Sequence, residues 1–432
     1  MAWDDIKIDG VSYEYAADWN AMVNVIKSLL PPSETSTINA LKITSISTNG
    51  KIEYNPTGAN FQTAITSLPA TGGDIYLPDT VLLGTTLSAT SITINKNYCR
   101  IHGWGMDRTI LTLSGTIGIM ASENPGASSV NWKWGLVGVQ LDNFSYTGSG
   151  IWVVSRNNLL IDSIKAYDIT GGSGFGLRII CPYGVDNDTN GWADSTGHYP
   201  SLPSAPDYYC ENVTLKNSMF IRTDSFGVEF WGELLKGLTF KDVLIDNCFS
   251  SRAGHHNSGT GGWATGFCLC EVDSIPVDED TQSTVQNMTI SNCEAYESWE
   301  SGFHFENRVK RIGVHFINCV ANNNGRKYKE STDPNVNDEA WKNPFGAGYF
   351  HGYMASGADS NVTLVNCQAY GNGAWGFRTG TTYHPSYSNC TGDAYPKATG
   401  NGYWTRTKMI YHTPVGGLVR PTTSVSGLID TG

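Results

Sequence analysis

The chain of 432 residues carries 48 glycines, only 16% charged residues and a net charge of −12. Ordinary domains have about 25% charged residues and about 7% glycine, so charge has been exchanged here for glycine and small polar residues, which excludes a helical bundle. With 40% hydrophobic and 11% aromatic residues the chain can build a large core, which excludes wholesale disorder. An acidic balance without a Lys/Arg cluster argues against a nucleic-acid partner.

The start, Met1-Ala2-Trp3-Asp4-Asp5, lacks the basic and apolar stretches of a signal peptide, and no apolar run approaches the ~18 residues of a membrane span. The expectation is a protein with no export signal of its own and no membrane span. Residues 17–26 predict a short amphipathic helix, after which Pro31-Pro32 breaks the chain. Residues 1–58 are read as an appended N-terminal module, of an attachment or oligomerisation kind, and 59–432 as the main domain. Helical spacing of apolar residues over 59–68 predicts a capping helix. The strand-like Thr71-Gly72-Gly73-Asp74-Ile75-Tyr76-Leu77-Pro78 follows.

Beyond residue 150 the chain repeats. Val213-Thr-Leu-Lys-Asn217-Ser218, Met288-Thr-Ile-Ser-Asn292-Cys293, Val314-His-Phe-Ile-Asn318-Cys319 and Val362-Thr-Leu-Val-Asn366-Cys367 share one pattern: apolar, polar, apolar, any, Asn, then Cys or Ser. Looser copies end at Asp162-Ser163, Asn247-Cys248 and Asn389-Cys390. The two-residue period marks short strands with one buried face. A second motif alternates with the first: Gly followed by an alternating segment, at Gly150, Gly176, Gly227, Gly266, Gly302, Gly348, Gly376 and Gly402. Where loops are short the Gly-to-Gly step is 26 or 28 residues, one turn of a solenoid. Coils made of strands alone predict an all-β fold, a right-handed parallel β-helix with an N-terminal capping helix and a C-terminal cap. The cysteines would stack inside it as reduced, small hydrophobes. The Asn column would bond side chain to backbone at the turns.

The helix at 59–68 followed by Gly72-Gly73-Asp74-Ile75-Tyr76-Leu77-Pro78, with the later Cys99-Arg-Ile-His-Gly103-Trp-Gly105, resembles the pectate-lyase-like superfamily. That resemblance implies the same β-helix fold over about residues 59 to 404 and an origin among polysaccharide-processing enzymes. A leader before a β-helix is similar to the attachment regions of viral tail spikes, which implies a homotrimer that is virion-associated or reaches the exterior by another route.

If the residue after each Gly points inward, the next points outward. The outward positions then read Arg178 and Ile180; Glu229, Trp231 and Glu233; Cys268 and Cys270; His304, Glu306 and Arg308; Phe350; Arg378. On coils ~4.8 Å apart these gather carboxylates, a His and three Arg on one face, as in a groove. Long insertions at 181–209, 250–265, 272–285 and 326–347 enter beside that column and contain Trp192, Trp263 and Trp341, with Trp299 just before the His304 strand. Flat rings beside carboxylates suit sugar rings. Glu229, Glu233, His304, Glu306 and Arg308 are the candidate catalytic residues, and Arg178, Trp192, Trp231, Trp263, Glu271 and Trp341 the candidate substrate-binding ones. Two carboxylates fit glycoside hydrolysis, with one acid and one base or nucleophile. The alternatives are a lyase or uronan C5-epimerase acting on an acidic polymer, and a non-catalytic glycan-binding spike. Tyr183-Gly184-Val185-Asp186 resembles the start of the mannuronan epimerase motif but continues Asn187-Asp188 instead of Pro-His, so that family's catalytic roles are not transferred. Asp186, Asp188 and Asn190 have the spacing of a Ca²⁺ loop. No cofactor is required by this reading, and Ca²⁺ is an optional ligand.

Overall fold

A computed structural model describes residues 47–48, 51–53, 58–123, 135–171, 174–182, 209–232, 237–254, 264–271, 283–306, 309–325, 346–351, 360–372, 375–379, 385–393, 397–398, 404–405 and 408–411. All belong to Ile46–Gly432, the second of two units into which the chain divides. The helix expected at 17–26 lies outside them. The described strands form a right-handed parallel β-helix, as the repeats require. Its sheet begins earlier than residue 59, because Lys51–Glu53 pairs in parallel with Gly73–Tyr76.

The capping helix is Gly58–Ser67. It buries Phe61, Ala64 and Ile65, together with the adjoining Leu68, against the first coils. Its Gln62 also closes a sheet edge: Nε2 donates to the Thr93 carbonyl at 3.0 Å and Oε1 accepts from the Thr93 amide at 2.7 Å. A side-chain amide thus stands in for the missing neighbouring strand.

From Ile151 onward each coil contributes up to three strands. One face stacks Leu177–Ile180, Val228–Trp231, Phe267–Glu271, Phe303–Phe305 and Ala347–His351. The second stacks Cys210–Lys216, Gly237–Asp246, Ser283–Ser291, Lys310–Ile317 and Ser360–Val365. The third stacks Met219–Thr223, Phe249–Ala253, Glu294–Tyr296 and Val320–Asn322. At the far end Lys408–Tyr411 pairs antiparallel with Cys390–Asp393.

The Asn-Cys motif is the corner between the second and third faces. Asn217, Asn247, Asn292, Asn318, Asn366 and Asn389 all have φ between 50° and 55°, a left-handed conformation that Asn tolerates better than most side chains. Their amides bond mainly to one another and not, as expected, to backbone: Nδ2 of Asn247 donates to Oδ1 of Asn217 (2.9 Å), Asn318 to Asn292 (3.2 Å), Asn366 to Asn318 (3.1 Å) and Asn389 to Asn366 (2.8 Å). One residue later the cysteines turn inward. The thiols of Cys293 and Cys319 donate to the carbonyls two residues before them (3.1 and 3.4 Å) and to a carbonyl one coil below (3.6 and 3.4 Å). Ser218 makes the same local bond with Oγ, to the Lys216 carbonyl at 2.7 Å, which is why Ser substitutes for Cys at that corner. All ten cysteines are buried thiols, and burial pushes Cys293 and Cys319 well above the ordinary thiol pKa. Cysteine-selective alkylation of the native protein should therefore leave Cys248, Cys293, Cys319, Cys367 and Cys390 unmodified, and labelling should follow global unfolding in denaturant.

The first coils hold an outward cluster in which His102 bridges two acids, Nδ1 to Asp142 (2.8 Å) and Nε2 to Asp74 (2.9 Å). Arg100 also pairs with Asp74, and Tyr76 stacks on the imidazole at 4.9 Å. Burial disfavours the imidazolium, but hydrogen bonds and charge from Asp142 and Asp74 outweigh it, raising the His102 pKa above 6.5. Burial likewise opposes ionisation of Asp142, but bonds from His102, Gln140 and Asn143 lower its pKa below 3.8. The His102 contribution to stability is complete below its unfolded pKa and is lost as pH rises through the raised folded value. That of Asp142 is complete above its unfolded pKa and is lost as pH falls through the lowered one. The difference in melting temperature between wild type and His102→Gln should be largest between about pH 4 and 6.5 and shrink in alkali. A difference that stays flat from acid to alkali would contradict this.

Candidate active site

The glycine before each first-face strand is required by contact between coils. A Cβ on Gly176 would lie 2.4 Å from the Gly227 carbonyl oxygen, one on Gly227 2.6 Å from that of Gly266, and one on Gly266 2.8 Å from that of Gly302. The following residue points inward, as expected: Phe267, Phe303, Tyr349 and Phe377 stack with ring centroids 5.2, 5.1 and 4.9 Å apart. The next position aligns Trp152, Arg178, Glu229, Cys268, His304, Phe350 and Arg378 on successive coils.

One part of the expected register is corrected. The strand Phe267–Glu271 contains an irregularity after Cys268, so Cys270 pairs with Phe305, a core residue, and Glu271 pairs with Trp231. Cys270 is fully buried, so it leaves the outward column. The Glu306 amide donates to the Cys270 carbonyl at 3.1 Å, which places Trp231, Glu271 and Glu306 on one line of rungs. Three members of the expected groove are buried: Glu229 is 1% exposed, His304 3% and Trp231 7%. Part of the reason is an aromatic enclosure. The Arg178 guanidinium lies 3.8 Å from the Trp231 ring centroid, 4.3 Å from Phe175 and 4.7 Å from Trp152. It pairs with Glu229 through both Nε and Nη2, the latter at 3.2 Å. Flat cation-on-ring packing and a two-point ion pair are the geometries in which arginine is strongest.

Two coils further on, His304 sits between two carboxylates. Its Nδ1 is 3.4 Å from Glu300 Oε1 and its Nε2 3.2 Å from Glu306 Oε2. Side-chain exposure rises along this line, from 2% at Glu300 through 4% at His304 to 26% at Glu306. A buried acid, an imidazole and a carboxylate that meets solvent are thus aligned, with a hydrogen bond on the Glu306 side and an ion-pair contact on the Glu300 side. Glu300 escaped the sequence reading because it precedes Gly302, outside the alternating strand. Phe175 escaped for the same reason, standing just before Gly176. The segment leading into each glycine faces the column too, and Phe175 stacked on Phe226 at 5.4 Å shows the repeat of that position. Trp299 is 7% exposed and packs against Gly254.

Of the remaining candidates, Glu233, Arg308, Trp192, Trp263, Trp341, Asp186, Asp188 and Asn190 lie outside the described residues, and Glu271 is described in its backbone alone. Among the described residues no group of three His, Cys, Asp or Glu is placed to hold a metal ion, and no helix is long and apolar enough to cross a membrane.

No family model matches the chain, and no curated protein matches it. Solved structures do resemble it. Pectate lyase Pel9A is 16% identical with a TM-score of 0.40, over 76% of this chain and 61% of that one. The enzymatically active domain of tailspike protein 2 from bacteriophage CBA120 is 13% identical with a TM-score of 0.39, over 81% of this chain and 45% of that one. The A-module of mannuronan C-5 epimerase AlgE4 from Azotobacter vinelandii is 10% identical with a TM-score of 0.30, over 78% of this chain and 91% of that one. The match thus spans less than two thirds of the pectate lyase and tailspike chains.

Because the Arg178–Glu229 pair is nearly desolvated, removing one member leaves the other as a buried charge, at a cost of about 3–5 kcal/mol, whereas removing both is far milder. Arg178→Met should destabilise strongly in denaturant titrations. Arg178→Met combined with Glu229→Gln should recover much of the loss. Additive losses would show that the two side chains do not act as a pair.

Proposed function

We propose that this β-helix binds and cleaves a polysaccharide along the first face, by hydrolysis, with Glu306 as the carboxyl group that meets the glycosidic oxygen. The observation behind this reading is the Glu300–His304–Glu306 line, in which the solvent-reaching member is held by an imidazole that is itself held by a buried acid. His304 and Glu300 are positioning residues that set the proton on Glu306. The second carboxylate is Glu271, whose backbone stands one rung, ~4.8 Å, from that of Glu306. Glu229, tied to Arg178, is a fixed anion and not the acid.

Elimination or epimerisation at a uronate needs a cation to neutralise the sugar's carboxylate. Arg178 is the cation of the column whose side chain is described, and it is already bound by Glu229. With His304 neutral and Glu306 carrying the proton it would donate, Arg178, Glu229, Glu300 and Glu271 sum to −2, which disfavours an acidic polymer and favours a neutral one. Hydrolysis is preferred on that ground.

Incubation with a panel of neutral and acidic polysaccharides should release reducing ends from a neutral polymer without the ultraviolet absorbance of an unsaturated uronate. Glu306→Gln should lower kcat by roughly 10²–10⁴-fold with the fold intact. His304→Gln should lose less and change the pH profile. Absorbance from an acidic polymer would establish a lyase. Tight binding with no product would establish a glycan-binding spike.

A further inference from the structure

Cys181 and Cys210 bracket the insertion 182–209 and stand apart from the cysteine corner. Ile180 pairs with Val154, and the Cys181 amide donates to the Trp231 carbonyl at 2.9 Å, so the strand register continues through Cys181 to Gly232. On the other side of the insertion Glu211 pairs with Asn157, and Cys210 pairs with Phe240. Over the coil below, therefore, Cys181 stands at the height of Ser155 and Cys210 at that of Arg156, which are neighbours in the chain. The coil above repeats this: a Cβ on Gly232 would lie 2.2 Å from the Thr239 side chain and 3.6 Å from that of Phe240. The two ends of the 28-residue segment 182–209 thus stand at adjoining points of the coil. Both cysteines are buried there, and the Cys181 thiol donates to the Pro182 carbonyl at 3.7 Å.

We infer that Cys181 and Cys210 form a disulfide that closes the base of the 182–209 insertion when the chain folds under oxidising conditions. Residues at adjoining coil positions, not joined by a peptide bond, can take the Cα separation of about 5.5 Å that a disulfide prefers. The corner cysteines cannot do so as easily. Stacked equivalents on parallel strands keep their Cβ atoms near the ~4.8 Å rung spacing, beyond the ~3.5–4.5 Å that a disulfide needs. The oxidant is a small-molecule disulfide such as oxidised glutathione. The Cys181 thiolate attacks one of its sulfurs, forming a mixed disulfide and releasing one small thiolate. The Cys210 thiolate then attacks the Cys181 sulfur and releases the second. The two protons lost by the cysteines are taken up by the two small thiolates, so the protein pair is oxidised and the reagent is reduced to two thiols. Burial pushes Cys210 up to about 12 and Cys181 well above its ordinary value, so exchange belongs to folding, before the coil closes.

The test is to produce the full chain in an oxidising compartment, alkylate it in denaturant without reductant and map its peptides by mass spectrometry. The expected result is a Cys181–Cys210 link with the other eight of the ten cysteines alkylated, and nine alkylated thiols in Cys210→Ser. Protease cleavage within 182–209 should give fragments that separate only after reduction. Ten alkylated cysteines in the wild type, or a link between corner cysteines such as Cys293 and Cys319, would overturn the inference. If Cys210→Ser does not fold, the wild-type map alone decides.

Discussion

Everything in this molecule depends on the rung: a parallel hydrogen-bonded step of ~4.8 Å that brings equivalent residues of successive coils to the same place. Once that step is fixed, a side chain's neighbours are its own equivalents above and below. Columns of one residue type then become favourable. The rings from Phe267 to Phe377 stack, the corner asparagines donate amide to amide, and the glycines admit the carbonyl of the next coil where any side chain would collide. Each column is a local solution repeated, and each repetition reinforces the register that made it possible.

The same rule explains what could be read from sequence. Gly302-Phe303 announces its register because a one-residue slip would bury two acids or bases and expose two phenylalanines. The column through Arg178, Glu229 and His304 was therefore legible. The extra residue in Phe267–Glu271 was not, since the alternation Phe-Cys-Leu-Cys-Glu fits either register while cysteine is at home on both sides. Nor was burial of Glu229 legible, because it arises from an arginine and three rings brought together from different coils. The bonding of the corner asparagines was misjudged for a related reason. A side chain read within its own coil finds backbone, whereas in a stack its neighbour is the same side chain.

The first face also shows how a solenoid builds a polar centre without giving up its core. Inward positions remain apolar throughout, so charge can be placed only outward or in the segment that leads into the glycine. Glu300 uses the second option, and His304 and Glu306 the first. Three groups thereby meet although none belongs to the repeat. Buried pairs of this kind contribute little net stability.

Finally, the antiparallel strand Lys408–Tyr411 laid along Cys390–Asp393 bears on how large such an object can grow. A parallel stack has no intrinsic end, since each new rung leaves an edge identical to the one it covered, as in amyloid growth. Where Lys408–Tyr411 runs reversed, the hydrogen-bond spacing it presents outward differs from that of a parallel rung, so a further parallel coil meets a mismatched edge on that face. With Gln62 occupying the Thr93 edge near the opposite end, the described stack carries at each end a device that makes continued parallel pairing less favourable.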